Sequence, residues 1–135
     1  MEGGEKFAMS IVTPAASLYE GEVYTCQIPT SDGLIGVLPF HAPLMSLLGF
    51  GVLTLHDDRG QHLQFAIDGG FLEIKNNKVV VLANAGQNCE DIDLEAARAE
   101  LESANNLVAQ GEVAIQRRME RIQAARTRVN FASKK

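Results

Sequence analysis

The spacing of apolar residues changes once along this 135-residue chain, near Asp91, and that change limits the folds open to it. Up to about residue 86, apolar positions alternate with others. Phe7, Met9 and Ile11 do so, as do Tyr24, Cys26 and Ile28, the shorter pair Leu53 and Leu55, and then Leu63, Phe65 and Ile67. A period of two belongs to strands with one buried face. After Asp91 the intervals become three and four, through Leu94, Ala97, Leu101, Ala104 and Val108. Beyond Gly111 the same rhythm runs through Ile115, Met119, Ile122 and Val129, with Ala125 or Arg126 in the gap. That is the single apolar stripe of an amphipathic helix, written twice. The spacing predicts an antiparallel β-sandwich over residues 1–88, followed by a C-terminal α-helical hairpin over residues 89–135.

The punctuation agrees with the periods. Asp57-Asp58-Arg59-Gly60, Asp68-Gly69-Gly70, Asn76-Asn77 and Asn84-Ala85-Gly86 read as turns, because Asn, Asp and Gly tolerate left-handed backbone. Asn76-Asn77 should close a hairpin between Phe71–Lys75 and Lys78–Leu82. Asp93 stands where an N-cap would precede Leu94, and Gly111 falls at the natural turn between the helices. Gly33 to Leu44 is a stretch of a different kind. It sets two glycines, two prolines and a lone histidine among aliphatic residues, so its backbone path is largely dictated.

An apolar share of 46% suffices for a core, while no run approaches the ~18 apolar residues of a membrane span. The start Met1-Glu2-Gly3-Gly4-Glu5-Lys6 lacks the layout of a signal peptide, so the chain is expected to be soluble and to stay where it is made. Cys26 and Cys89 form no C-x-x-C pattern. Cys26 is expected to fill core volume and Cys89, ahead of an acidic cluster, to be exposed, both as unpaired thiols without a metal. The net charge of −5 is uneven. Residues 1–111 carry 15 acidic and 5 basic side chains, net −10, and residues 112–135 carry 7 basic and 2 acidic, net +5. The tail should therefore meet an acidic surface, on its own body or on a partner. Arg117, Arg121 and Arg128 fall near one helix face with Arg118 beside them, a ridge suited to carboxylates. Nucleic acid is the poorer target, because the rest of the chain is acidic and no aromatic residue interleaves with the arginines.

Catalytic chemistry is not legible. His41, His56 and His62 join no metal-ligand motif, and no Walker A loop, G-x-S-x-G or H-E-x-x-H occurs. His41, between Pro39 and Pro43, reads as a structural or interface residue; a hydrolase or isomerase pairing it with Asp68 is the weaker reading. A free-standing β-sandwich adaptor for acidic or helical partners is the main alternative.

The order Ile35-Gly36-Val37-Leu38-Pro39-Phe40-His41-Ala42-Pro43-Leu44 resembles the signature of the ε subunit of F-type ATP synthase. The resemblance extends to Thr13-Pro14, to Gly69-Gly70-Phe71 with its hairpin, and to the two C-terminal helices. It implies a non-catalytic rotor component of the F1 central stalk that couples the c-subunit ring to the γ subunit. It implies membrane association only through the complex, on the cytoplasmic face of a bacterial inner membrane or the stromal side of a thylakoid. The segment holding Ser31, Asp32, Gly33, Leu34, Phe40 and His41 would meet the c ring. The hairpin would be regulatory, extending along γ toward the β and α subunits, with Arg117, Arg118, Arg121 and Arg128 as its contacts. Some family members bind ATP through Ile or Leu, then Asp, two residues, Arg and Ala. This chain has Leu94-Glu95-Ala96-Ala97-Arg98-Ala99, which makes ATP a candidate regulatory ligand at Glu95 and Arg98 and implies no other cofactor. Without ATP, Glu95 and Arg98 would serve as a helix start and an i,i+3 ion pair.

Overall fold

The computed structural model describes residues 4–133. Seven strands come first: β1 Phe7–Val12, β2 Ser17–Thr30, β3 Gly33–Val37, β4 Leu44–Asp57, β5 His62–Lys75, β6 Lys78–Ala83 and β7 Gly86–Asn88. A single 3-10 turn, Cys89–Asp91, leads to helices α1 Leu94–Asn105 and α2 Glu112–Ala132. The expected β-sandwich with a C-terminal helical hairpin is the fold.

β2, β4 and β5 are each 14 residues long, because each belongs to both sheets. The first half of β2 pairs with β1 and its second half with β3. β5 pairs with β7 before its middle and with β6 after it, and β4 follows β5 along its whole length. One sheet therefore holds β3, the second halves of β2 and β4, the first half of β5, and β7. The other holds β1, β6, the first halves of β2 and β4, and the second half of β5. Asp68-Gly69-Gly70, expected to be a turn, is instead where β5 bends from one sheet to the other. Gly70 has φ +128°, and a Cβ there would lie 2.1 Å from the Leu82 carbonyl oxygen. β4 bends at Gly49, where a Cβ would lie 2.6 Å from the Thr30 carbonyl oxygen. The pairing is antiparallel throughout except between β1 and β6, which run parallel. That pair could not be read from a strand pattern, since it joins segments some 70 residues apart.

The period-two residues fill the space between the sheets. Phe7, Met9, Ile11, Ile28, Leu53, Leu55, Phe65, Ile67, Leu72, Ile74, Val79 and Val81 are all buried there. The Asn76-Asn77 hairpin forms as expected, with both residues left-handed at φ 53° and 58°. At the other tight turn, Asp57 is buried and its Oδ1 accepts from the Arg59 and Gln61 amides.

Cys26 lies in this core, and burial pushes its thiol up to about 12 from an ordinary 9.0. Cys89 is also buried, against the expectation of exposure, because the 3-10 turn packs against β5 and α2. No disulfide joins them. The native Cys26 keeps its proton where an unfolded thiol would lose it. Its contribution to stability is therefore complete below pH about 9 and is lost as pH rises toward about 12. Urea midpoints should fall more steeply above pH about 9 for the natural chain than for a Cys26→Ala variant. Parallel pH profiles for the two would place the origin of the fall elsewhere.

Candidate functional site

α2 lies across the outer face of the sheet that holds β7, touching β4 and β5. The side chains fully buried at its contact are small ones, with Ile122, Val129 and Phe131 partly buried beside them. Ala125 and Ala132 are its buried side chains, and Ala97 and Ala104 are those of α1. Ala66, turned outward by its place on β5, is fully buried because the hairpin covers this face. Small side chains bring backbones close but remove little apolar area from water, so this packing alone holds the hairpin weakly.

A polar clasp supplements it. Arg128 donates from Nη1 to Asp68 Oδ1 at 2.8 Å and from Nη2 to Asp68 Oδ2 at 2.7 Å, a bidentate pair joining α2 to the bend of β5. Its Nε donates to Gln87 Oε1 on β7, and Nη1 also reaches the Ala124 carbonyl. The two charged side chains are only 16% and 11% exposed, so their attraction is little screened by water. Beside the clasp, a cleft of about 690 Å³ opens between α2 and the sheet, lined by Phe50, Gln64, Asn130 and Phe131 among others.

The other arginines hold the hairpin to itself. Arg118 donates to the carbonyls of Asn105 and Leu107, closing the C-terminal end of α1. Arg121 pairs with Glu100 at 2.6 Å, but both are exposed, which keeps the contribution below ~1 kcal/mol. Arg117 is exposed and lines the groove at the hairpin elbow. The acidic surface expected to face the tail is thus, in this conformation, the chain's own. Asp93 caps α1 through the amides of Glu95 and Ala96, as expected. α1 ends at Asn105, not at Val108, which is 89% exposed in the loop before Gly111. Arg118 caps that end, meeting the carbonyls of Asn105 and Leu107. Glu95 and Arg98 are exposed on the first turns of α1, and among the described residues the expected ion pair between them does not form.

The Ser31 to His41 segment is drawn out along an edge and does not form a compact loop. β3 is the outermost strand of its sheet, with β2 as its neighbour. Ser31 and Asp32 form the turn before β3, held by Thr30, whose Oγ1 donates to the Gly33 carbonyl and accepts from the Asp32 amide. Phe40 and His41 lie beyond its other end. Leu34, Leu38 and Phe40 are 60%, 62% and 68% exposed and take no part in the core. His41 Nδ1 donates to the Ala42 carbonyl at 2.7 Å, a structural contact. Asp68, its supposed catalytic partner, has both oxygens on Arg128.

One surface was not anticipated. On the outer face of the other sheet, Val12, Leu82, Phe71 and Leu47 stand side by side on four neighbouring strands. Leu47 is 59% exposed, and Leu82 and Phe71 are exposed as well; Met45 adds to them from the next row. The signal was present in the pairs Leu47-Leu48, Phe71-Leu72 and Val81-Leu82, which are apolar on both faces of a strand and break the simple alternation. Among the described residues, no three His, Cys, Asp or Glu side chains gather as metal ligands, and no helix is long and apolar enough to cross a membrane.

Residues 6–88 match the sequence model of the ATP synthase delta/epsilon chain β-sandwich domain. An ATP synthase epsilon chain of Leptospira interrogans is 41% identical over 103 residues, covering 76% of this chain and 80% of that one. One from Carboxydothermus hydrogenoformans is 43% identical over 105 residues, 78% of each. One from Desulforamulus reducens is 34% identical over 126 residues, 87% of this chain and 95% of that. A chain in a cryo-EM structure of Euglena gracilis mitochondrial ATP synthase, comprising OSCP, F1 and c-ring, superposes with TM-score 0.78 over 100% of this chain and 87% of its own. At 20% identity that likeness speaks for the fold alone. The β-sandwich, with its shared strands and its match over residues 6–88, places this chain in the ATP synthase delta/epsilon family.

Proposed function

We propose that this chain is the ε subunit of an F-type ATP synthase, a central-stalk rotor component that transmits motion between the c ring and γ and performs no ATP chemistry itself. The observation that carries the reading is the apolar row Val12, Leu82, Phe71 and Leu47, three of whose members are exposed on a sheet the hairpin does not cover. An apolar row of this kind on a soluble chain marks a protein interface, and the row is assigned to γ. The β3 border, from Ser31 and Asp32 through Leu34 to Phe40 and His41, is assigned to the c ring. Its one free edge and three exposed apolar side chains suit an extended contact. The subunit would reach the membrane only through that contact, on the cytoplasmic or stromal side.

The hairpin is read as the regulatory part, seen here docked. Released, it would present Arg117, Arg118, Arg121 and Arg128, with the apolar elbow of Val113, Ile115 and Met119, to the β and α subunits. ATP would act as a regulatory ligand at Glu95 and Arg98 only by favouring one of the two positions.

The test is direct. A Phe71→Asp, Leu82→Lys double variant should still fold, with a lowered melting temperature, because Leu82 is 50% and Phe71 36% exposed and neither belongs to the core. It should bind purified γ at least about a hundredfold more weakly in titration calorimetry, as loss of two central anchors implies. Undiminished affinity would remove the row from the γ interface.

A further inference from the structure

The exposed Phe40 has a backbone that its side chain does not favour. Its φ is 63°, in the left-handed region, where a residue other than Gly, Asn or Asp is uncommon and costs roughly 1–2 kcal/mol. Pro39 and Phe40 are the central pair of a turn, whose second position calls for left-handed backbone. The Phe40 amide is held there by one side chain from another part of the fold. Asn77 Oδ1 accepts from the Phe40 amide at 2.7 Å, while Asn77 Nδ2 donates to the Lys6 carbonyl at 3.0 Å. The Asn77 carbonyl accepts from the Ala8 amide at 3.3 Å. A single residue thus ties together the β5–β6 turn, the start of β1 and the loop after β3. Asn76 and Asn77 are both left-handed, as the two-residue turn requires, so glycine would meet the backbone demand there; the side chain of Asn77 answers to a second one.

We propose that Asn77 is a positioning residue, which locks Phe40 in its left-handed conformation so that the phenyl ring stands out from the β3 border as a preformed apolar contact for the c ring. The inference rests on the assignment of that border to the ring. A contact made by a short exposed loop ordinarily loses affinity to the ordering of the loop on binding, and a loop ordered beforehand avoids that loss. The clasp also orients the ring without using its surface, since the bond goes to the backbone amide and leaves the phenyl 68% exposed.

Three variants of the full chain separate the possibilities. Asn77→Gly keeps the turn and removes the clasp. Asn77→Asp keeps an acceptor for the Phe40 amide but not the donor to Lys6. Phe40→Ala removes the contact itself. Two readouts are needed: hydrogen exchange of the Phe40 amide in the free chain, and binding of the chain in complex with γ to purified c rings. Asn77→Gly should speed exchange at Phe40 and weaken ring binding, each by roughly tenfold, the worth of one hydrogen bond. Its γ affinity should not change. Asn77→Asp should restore both most of the way, and Asn77→Gly added to Phe40→Ala should weaken ring binding no further. Natural exchange at Phe40 in Asn77→Gly would overturn the positioning role, as would a loss of ring affinity that simply adds to that of Phe40→Ala. If natural chain and Phe40→Ala bind rings equally, the assignment of the border fails instead, while the exchange result still decides whether Asn77 holds the loop.

Discussion

An Arg128→Ala variant should keep its sandwich and lose its docked hairpin. The substitution leaves Asp68 as a charge 11% exposed at the bend of β5 with no guanidinium to meet it, at a cost of about 3 kcal/mol. The alanines fully buried at the contact, with Ile122, Val129 and Phe131 only partly buried, offset part of that loss. Amide exchange along α2 should therefore quicken roughly a hundredfold while the amides of β1, β5 and β6 keep their protection. Asp68→Ala should do the same. Changing both together should cost less than either alone, because no unpaired charge remains. If the hairpin stays protected in both single variants, its docking rests on the alanine seam and the clasp is incidental. Should the released hairpin act as proposed, assembled enzyme carrying Arg128→Ala would also hydrolyse ATP at a different rate from the natural form.

The second large effect concerns the strand bend. Gly70→Ala should prevent folding at ordinary temperature. A methyl group there meets the Leu82 carbonyl oxygen at 2.1 Å, and the φ of +128° is closed to alanine in any case. The obstacle is backbone within the β5–β6 ladder and cannot move without breaking it. The expected loss exceeds about 4 kcal/mol, the range reserved for steric conflict or buried charge. Gly60→Ala is the control. It too has positive φ, +80°, but nothing lies within 4 Å, so only the left-handed penalty of about 1–2 kcal/mol applies. Urea titration of both variants would distinguish them; similar midpoints would mean that the sheet adjusts around Gly70.

Local chemistry was the legible part of this fold. The two hydrophobic periods announced the sandwich and the hairpin, and Asn76-Asn77, Asp93 and Gly111 placed turns and a cap where they occur. What escaped were relations between distant segments. Asp68-Gly69-Gly70 carries every mark of a turn, and only the presence of β6 alongside makes it a bend within one strand. Cys89 stands before Glu90 and Asp91 and is buried all the same, because its environment comes from elsewhere in the chain. Arg128 was recognised as part of a basic ridge, but its partner lies 60 residues away, and no spacing rule reaches so far. Asn77 was read as turn chemistry, correctly, yet its bonds to Phe40 and Lys6 depend on three segments meeting. The Leu47, Phe71 and Leu82 row is hidden for a different reason. Alternation marks a strand with one apolar face, and these strands have two.

The three strands that run through both sheets have a mechanical consequence. In a sandwich of two separate sheets, a twisting load applied to one reaches the other only through side-chain packing, which can slip. Here β2, β4 and β5 carry the covalent backbone from one layer into the next, and their ladders resist shear along the whole length. Torque entering at the β3 border would pass to the face bearing Phe71 and Leu82 through the chain itself, as through a stiff coupling. The hairpin lies outside that path, so on the proposed reading its release would leave the coupling between the two faces unchanged.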